Sequence, residues 1–163
     1  MSGLKVAIII GSKSDTEHAE KAEQILKDFG VDFETLVISA HRNPNKIRKF
    51  VKNAEQNGFG VIIAMAGLAA HLPGVVASLT VLPVIGVPIE SGPLHGKDAL
   101  YSIVQMPSGI PVACVGISNP KNAAILAVEI LSVHNMKLRE KIKEYRKQFG
   151  DDIDWKNKAI KPF

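Results

Sequence analysis

Two spacings of apolar residues alternate along this chain. Apolar runs at Val6–Ile10, Gly60–Ala64, Val84–Val87 and Pro111–Val115, and a mostly apolar one at Phe33–Ile38, read as strands. Between them the apolar positions recur at the helical period. Residues 16–29 place Ala19, Ala22, Ile25, Leu26 and Phe29 on one face, and Gly30 stands where a left-handed cap ends a helix. Asn43 stands at an N-cap position and Pro44 suits a first helical residue. Ile47, Phe50, Val51 and Ala54 then form an inner face that Gly58 ends. Further helices are expected from Leu72 or Pro73 to Leu79, over 97–105, over Ala123–Val133 and over Lys137–Phe149, with Pro88 stopping the fourth strand.

Strands that are mostly apolar throughout, separated by helices, predict a parallel sheet covered on both faces. Right-handed crossovers narrow the layout to a flavodoxin-like or Rossmann-like order. The expectation is a three-layer α/β fold: a doubly wound, parallel, five-stranded sheet with a C-terminal helix and tail. At 163 residues the chain reads as one domain, residues 1–150, followed by a tail, 151–163. The tail lacks periodicity yet carries Trp155, Ile160 and Phe163, so it is expected to pack on its own or a neighbouring subunit.

Charge and composition remove several function classes. The whole formal net charge of +4 sits on residues 137–147, where Lys137, Arg139, Lys141, Lys143, Arg146 and Lys147 outnumber Glu140 and Glu144. One basic helix without further basic elements alongside is read as a solvated face, so no nucleic-acid partner is expected. No apolar run approaches the roughly 20 residues of a membrane span, and the start of the chain shows no signal peptide, so the protein is expected to be cytoplasmic. Cys114, the single cysteine, lies in an apolar run and reads as a packing thiol. No HExxH motif or Cys/His ligand spacing is present, so no metal is expected. The end of the third strand, Ala64-Met65-Ala66, lacks the aspartate of a phosphoreceiver.

Candidate chemistry concentrates just after strands, the edge where open α/β sheets bind ligands. Gly11-Ser12-Lys13-Ser14-Asp15 follows the first strand. Its glycine permits a tight turn, its hydroxyls and the following helix's N–H groups suit a phosphate or sugar, and Asp15 can cap that helix or accept ribose hydroxyls. The stretch is neither a GxGxxG fingerprint nor a P-loop. Ser39-Ala40-His41-Arg42 follows the second strand, setting a group that moves protons near neutral pH beside one that grips a phosphate or carboxylate with two prongs. After the third strand, Ala64 to Gly74 is dominated by small residues, which let a flat ring or a small gas-like molecule lie near the backbone, with His71 near a helix start. Ser91 to Asp98 is a Gly/Pro-rich loop in which His95 and Asp98 have no evident partner.

Four of these motifs together, Gly11-Ser12-Lys13-Ser14-Asp15, Ser39-Ala40-His41-Arg42, Ala66-Gly67-Leu68-Ala69-Ala70-His71-Leu72-Pro73-Gly74 and Ser102-Ile103-Val104-Gln105-Met106-Pro107, resemble the class I N5-carboxyaminoimidazole ribonucleotide mutases of purine biosynthesis. The likeness runs from about Val6 to His134. It implies a flavodoxin-like homo-octamer with no metal or organic cofactor. It also implies an isomerase that moves a carboxylate from N5 to C4 of the aminoimidazole ribonucleotide through enzyme-trapped carbon dioxide. In that reading His41 is the general acid/base, and Ser12, Asp15 and Arg42 bind the nucleotide. The loop Ala66 to Leu72 wraps the base and the carbon dioxide. Ser14, Ser39, Ala66, Gly67, Ala69, His71 and Leu72 complete the expected substrate-binding set. Pro120-Lys121-Asn122-Ala123 instead resembles the class II direct carboxylases, while Arg42 and His71-Leu72-Pro73-Gly74 favour class I. The alternatives are therefore direct carboxylation of aminoimidazole ribonucleotide and a non-catalytic nucleotide-binding module.

Overall fold

The computed structural model describes residues 4–149; the expectation for the tail, 151–163, lies outside them. Five parallel strands, β1 (Lys5–Ile10), β2 (Phe33–Val37), β3 (Phe59–Gly67), β4 (Val84–Ile89) and β5 (Ala113–Cys114), form one sheet in the order β2-β1-β3-β4-β5. Helices α1 (Thr16–Phe29), α2 (Pro44–Ala54), α3 (Leu72–Ala77), α4 (Lys97–Val104), α5 (Pro120–Ser132) and α6 (Met136–Lys147) connect and flank it. This is the flavodoxin-like doubly wound order.

Side chains alternate across the pleat and build two cores. Val6, Ile8 and Ile10 of β1, Val61, Ile63 and Met65 of β3 and Ile85, Val87 and Ile89 of β4 point to one face, where α1, α5 and α6 cover them. Ala7, Ile9, Ile62, Ala64, Ala66 and Val84 point to the other, under α2, α3 and α4. Burial on both faces explains why β1, β3 and β4 read as unbroken apolar runs. β2 departs from that pattern: Glu34, Thr35 and Val37 are exposed, because the strand lies at the sheet's edge.

The structure corrects several boundaries. β3 continues to Gly67, past the expected end at Ala64, so Met65, Ala66 and Gly67 pair with Val87, Pro88 and Ile89. Pro88 does not stop β4. β5 pairs only with Ile85 and Gly86, so no β5 acceptor is left waiting for the N–H that Pro88 lacks, and the Pro88 carbonyl accepts the Ser118 N–H at 2.8 Å. β5 is correspondingly shorter than the run Pro111–Val115. Asn43 occupies the N-cap position of α2, but its side chain makes no capping bond; its carbonyl accepts from Lys46 and Ile47 instead. Pro44 does start that helix, and Phe50 is only half buried. α5 begins at Pro120, before Ala123, because the Asn119 side chain caps it by accepting from the Asn122 N–H at 3.1 Å. Cys114 is half buried and packs against the α2/α3/α4 face, with burial raising its thiol pKa. No helix among the described residues is long and apolar enough to cross a membrane.

Candidate active site

The sheet order places the site. From β1 the chain runs outward to β2 and then back past β1 to β3, so α1 and α2 lie on opposite faces and the β1/β3 gap is the topological switch point. Register holds the carboxyl ends level: Ile10 pairs with Val37 on one side and Met65 on the other. The Gly11 N–H donates to the Met65 carbonyl at 3.2 Å, tying the two strand ends together. Above them opens a cleft of about 370 Å³.

All eleven residues expected at the site line this cleft: Ser12, Ser14, Asp15, Ser39, His41, Arg42, Ala66, Gly67, Ala69, His71 and Leu72. The loop after β1 turns through a short 3-10 helix, Lys13–Asp15, and is internally bonded. The Ser12 hydroxyl accepts the Ser14 N–H at 3.3 Å, and one Asp15 oxygen accepts the Ser12 N–H at 3.1 Å. The Ser14 hydroxyl donates to the other at 3.0 Å. Asp15 is thus the acidic half of a capping box and has lone pairs left over for a ligand. After β2, Ser39 builds the turn that presents the next residues: its hydroxyl accepts the Arg42 N–H at 3.3 Å and its carbonyl the Asn43 N–H at 2.9 Å. Arg42 is exposed and its guanidinium makes no ion pair among the described residues. It remains the one cation on a cleft wall whose one carboxylate, Asp15, already accepts two hydrogen bonds.

The two histidines meet. Nε2 of His41 lies 2.7 Å from Nδ1 of His71, and the rings stand edge to face with centroids 4.9 Å apart. His71 holds the N-cap position of α3 without capping it through its side chain, which leaves the ring free to face His41. A hydrogen bond between two imidazoles requires one nitrogen to donate and the other to accept, so the pair shares a proton across that bond. The spacing of two residues 30 apart in sequence carries no signal of this meeting; only the β2-β1-β3 order brings their loops to one place.

Ser91 also lines the cleft and was not foreseen. It follows β4, which neighbours β3, and its side chain fills the space that the missing Cβ of Gly67 leaves open, 2.9 Å from where that atom would stand. The strand order was the one signal that could have found it. His95 and Asp98 do not reach the cleft lining; His95 pairs with Glu90 at 3.1 Å on an exposed loop, and Asp98 sits in the first turn of α4. Nor does any residue of 116–123: Pro120-Lys121-Asn122-Ala123 starts α5 and does not line the cleft. No group of three or more His, Cys, Asp or Glu residues among the described ones is placed to hold a metal ion.

Residues 5–152 match the family model described as AIR carboxylase. The chain is 55% identical over 149 residues to the N5-carboxyaminoimidazole ribonucleotide mutase of Saccharolobus solfataricus, covering 91% of this chain and 94% of that one. It is 47% identical to the enzyme of the same name from Escherichia coli, covering 91% and 89%. Among solved structures it is similar to Treponema denticola PurE, with a TM-score of 0.83 at 33% identity over 96% of this chain and 98% of that one.

Proposed function

The chain belongs to the AIR carboxylase family, and from that premise we propose that His41, hydrogen-bonded to His71, carries the proton steps of its reaction. The chain is an enzyme of purine biosynthesis that moves the carboxylate of N5-carboxyaminoimidazole ribonucleotide from N5 to C4. The observation that supports the assignment of roles is the 2.7 Å approach of the two imidazoles at the mouth of a cleft lined by small residues.

In this reading Arg42 and the Ser12 hydroxyl hold the ribonucleotide phosphate, and Asp15 accepts from the ribose hydroxyls. His41 gives its proton to N5; the N–C bond of the carbamate breaks, its electron pair stays on nitrogen, and carbon dioxide is freed. Ala66, Gly67 and Ala69 leave room for the flat ring and the small molecule beside it. C4, an electron-rich enamine carbon, attacks the carbon dioxide, and the imidazole that lost a proton to N5 removes the one from C4. The proton count closes on one residue, and His71 orients that ring and shares its proton. Positioned proton transfer of this kind contributes roughly 10²–10⁴ in rate, and holding carbon dioxide at C4 adds a proximity gain.

Purified enzyme given N5-carboxyaminoimidazole ribonucleotide without added bicarbonate is expected to form the C4 carboxylate, and His41→Asn to lower kcat by about 10²–10⁴ while retaining the ligand. Product formation only from aminoimidazole ribonucleotide and carbon dioxide would instead establish a direct carboxylase. Unchanged turnover in His41→Asn would remove His41 from the chemistry. The same reading assigns a cytoplasmic homo-octamer, for which sedimentation should return eight times the 17.6 kDa chain mass.

A further inference from the structure

One lining residue is bulky where its neighbours are small, and its backbone is strained. Leu68 follows β3 with φ of +53°, a left-handed conformation that a branched side chain avoids unless its surroundings impose it. Gly67 before it and Ala69 after it are small, yet Leu68 is 52% exposed and lines the cleft. It makes no core contact that would account for the strain. It does have a seat. Gly92, itself left-handed at φ +63°, has no side chain, and Cδ2 of Leu68 lies 2.8 Å from where a Cβ on Gly92 would stand. The isobutyl group therefore crosses from the end of β3 to the chain leaving β4 and rests beside Ser91, on the rim of the cleft.

We propose that Leu68 is a retaining residue of the site: its left-handed backbone lays an apolar side chain from β3 onto Gly92, closing the rim on the β4 side so that freed carbon dioxide stays beside C4 and water stays out. The proposal rests on the mutase reading. A glycine would adopt this backbone without strain, so a leucine there costs stability that its position at the rim explains. Hydration of carbon dioxide or its escape leaves free aminoimidazole ribonucleotide behind, with N5 protonated and no carboxylate to transfer. Leu68 lowers that loss without touching a proton.

The test follows a label. Substrate carrying ¹³C in the carbamate is turned over in buffer with unlabelled bicarbonate, and the ¹³C content of the C4 carboxylate is measured together with free aminoimidazole ribonucleotide, after subtracting spontaneous breakdown. The wild-type enzyme is expected to retain the label. Leu68→Gly, which suits the backbone and is expected to fold with a Tm at or above the wild type, should lose most of it and release more free ribonucleotide per product. Gly92→Ala, which unseats the leucine from the other side, should shift the partition in the same direction. Label retained in both variants at wild-type levels would overturn the proposal, as would a wild-type enzyme that exchanges its label freely. Failure of the wild type to form the C4 carboxylate at all would strike the mutase reading instead, so the two failures are told apart.

Discussion

At the scale of single residues, several side chains do two jobs that sequence patterns keep separate. Asp15 caps a turn and faces the cleft; Ser39 ties a loop and faces the cleft. Arg42 has one job, since nothing among the described residues neutralises it. Arg42→Ala is therefore expected to raise KM about 10- to 100-fold through loss of charge-assisted bonds of roughly 1.5–3 kcal/mol, with a smaller change in kcat. Steady-state kinetics on the substrate checks this, and a fall confined to kcat would assign Arg42 to the chemical step. Cys114 shows what burial alone does. Desolvation raises its thiol pKa, so less thiolate is present at a given pH than in an unfolded chain. Its alkylation in the native protein should be slower than in denaturant near neutral pH, and should accelerate as pH rises.

At the scale of elements, what could be read from the chain and what could not divides along a physical line. α1 was legible to the residue, Thr16–Phe29, because an amphipathic face and a left-handed Gly30 are local signals. Pro88 carries no such local signal, because its effect depends on which neighbour the strand has at that position, and β5 pairs only with Ile85 and Gly86. β3 ran past Ala64 for the same kind of reason: Ala66 and Gly67 are weak strand formers held by their pairing to β4. Tertiary closeness also governs Gly86. A Cβ there would run into Ile103 of α4 and stand 3.0 Å from Val112 Cγ1 and 3.3 Å from Pro73 Cβ at the start of α3. Gly86→Ala is expected to destabilise by about 1–3 kcal/mol through overpacking, read as a lower midpoint in urea. A neutral result would mean that α4 can slide outward freely.

At the scale of the molecule, the residues that line the cleft are legible individually and their partnership is not. Each cleft motif announces itself as a loop after a strand, yet the His41–His71 bond and the arrival of Ser91 depend on the order β2-β1-β3-β4-β5. That order has a further consequence, for the chain during its own synthesis. Every described residue lining the cleft lies at or before Ser91, so a ribosome that has extruded that residue has delivered the whole of that lining. The chain is nonetheless unfinished as a fold. The face of β1, β3 and β4 that carries Ile8, Ile63 and Val87 is still waiting for α5, whose Ala123, Ala124, Ala127 and Val128 cover it together with α1. Parallel pairing gains its stability only after such distant segments close. The nascent protein therefore holds its cleft residues early and its finished cleft late, with an apolar sheet face uncovered in the interval.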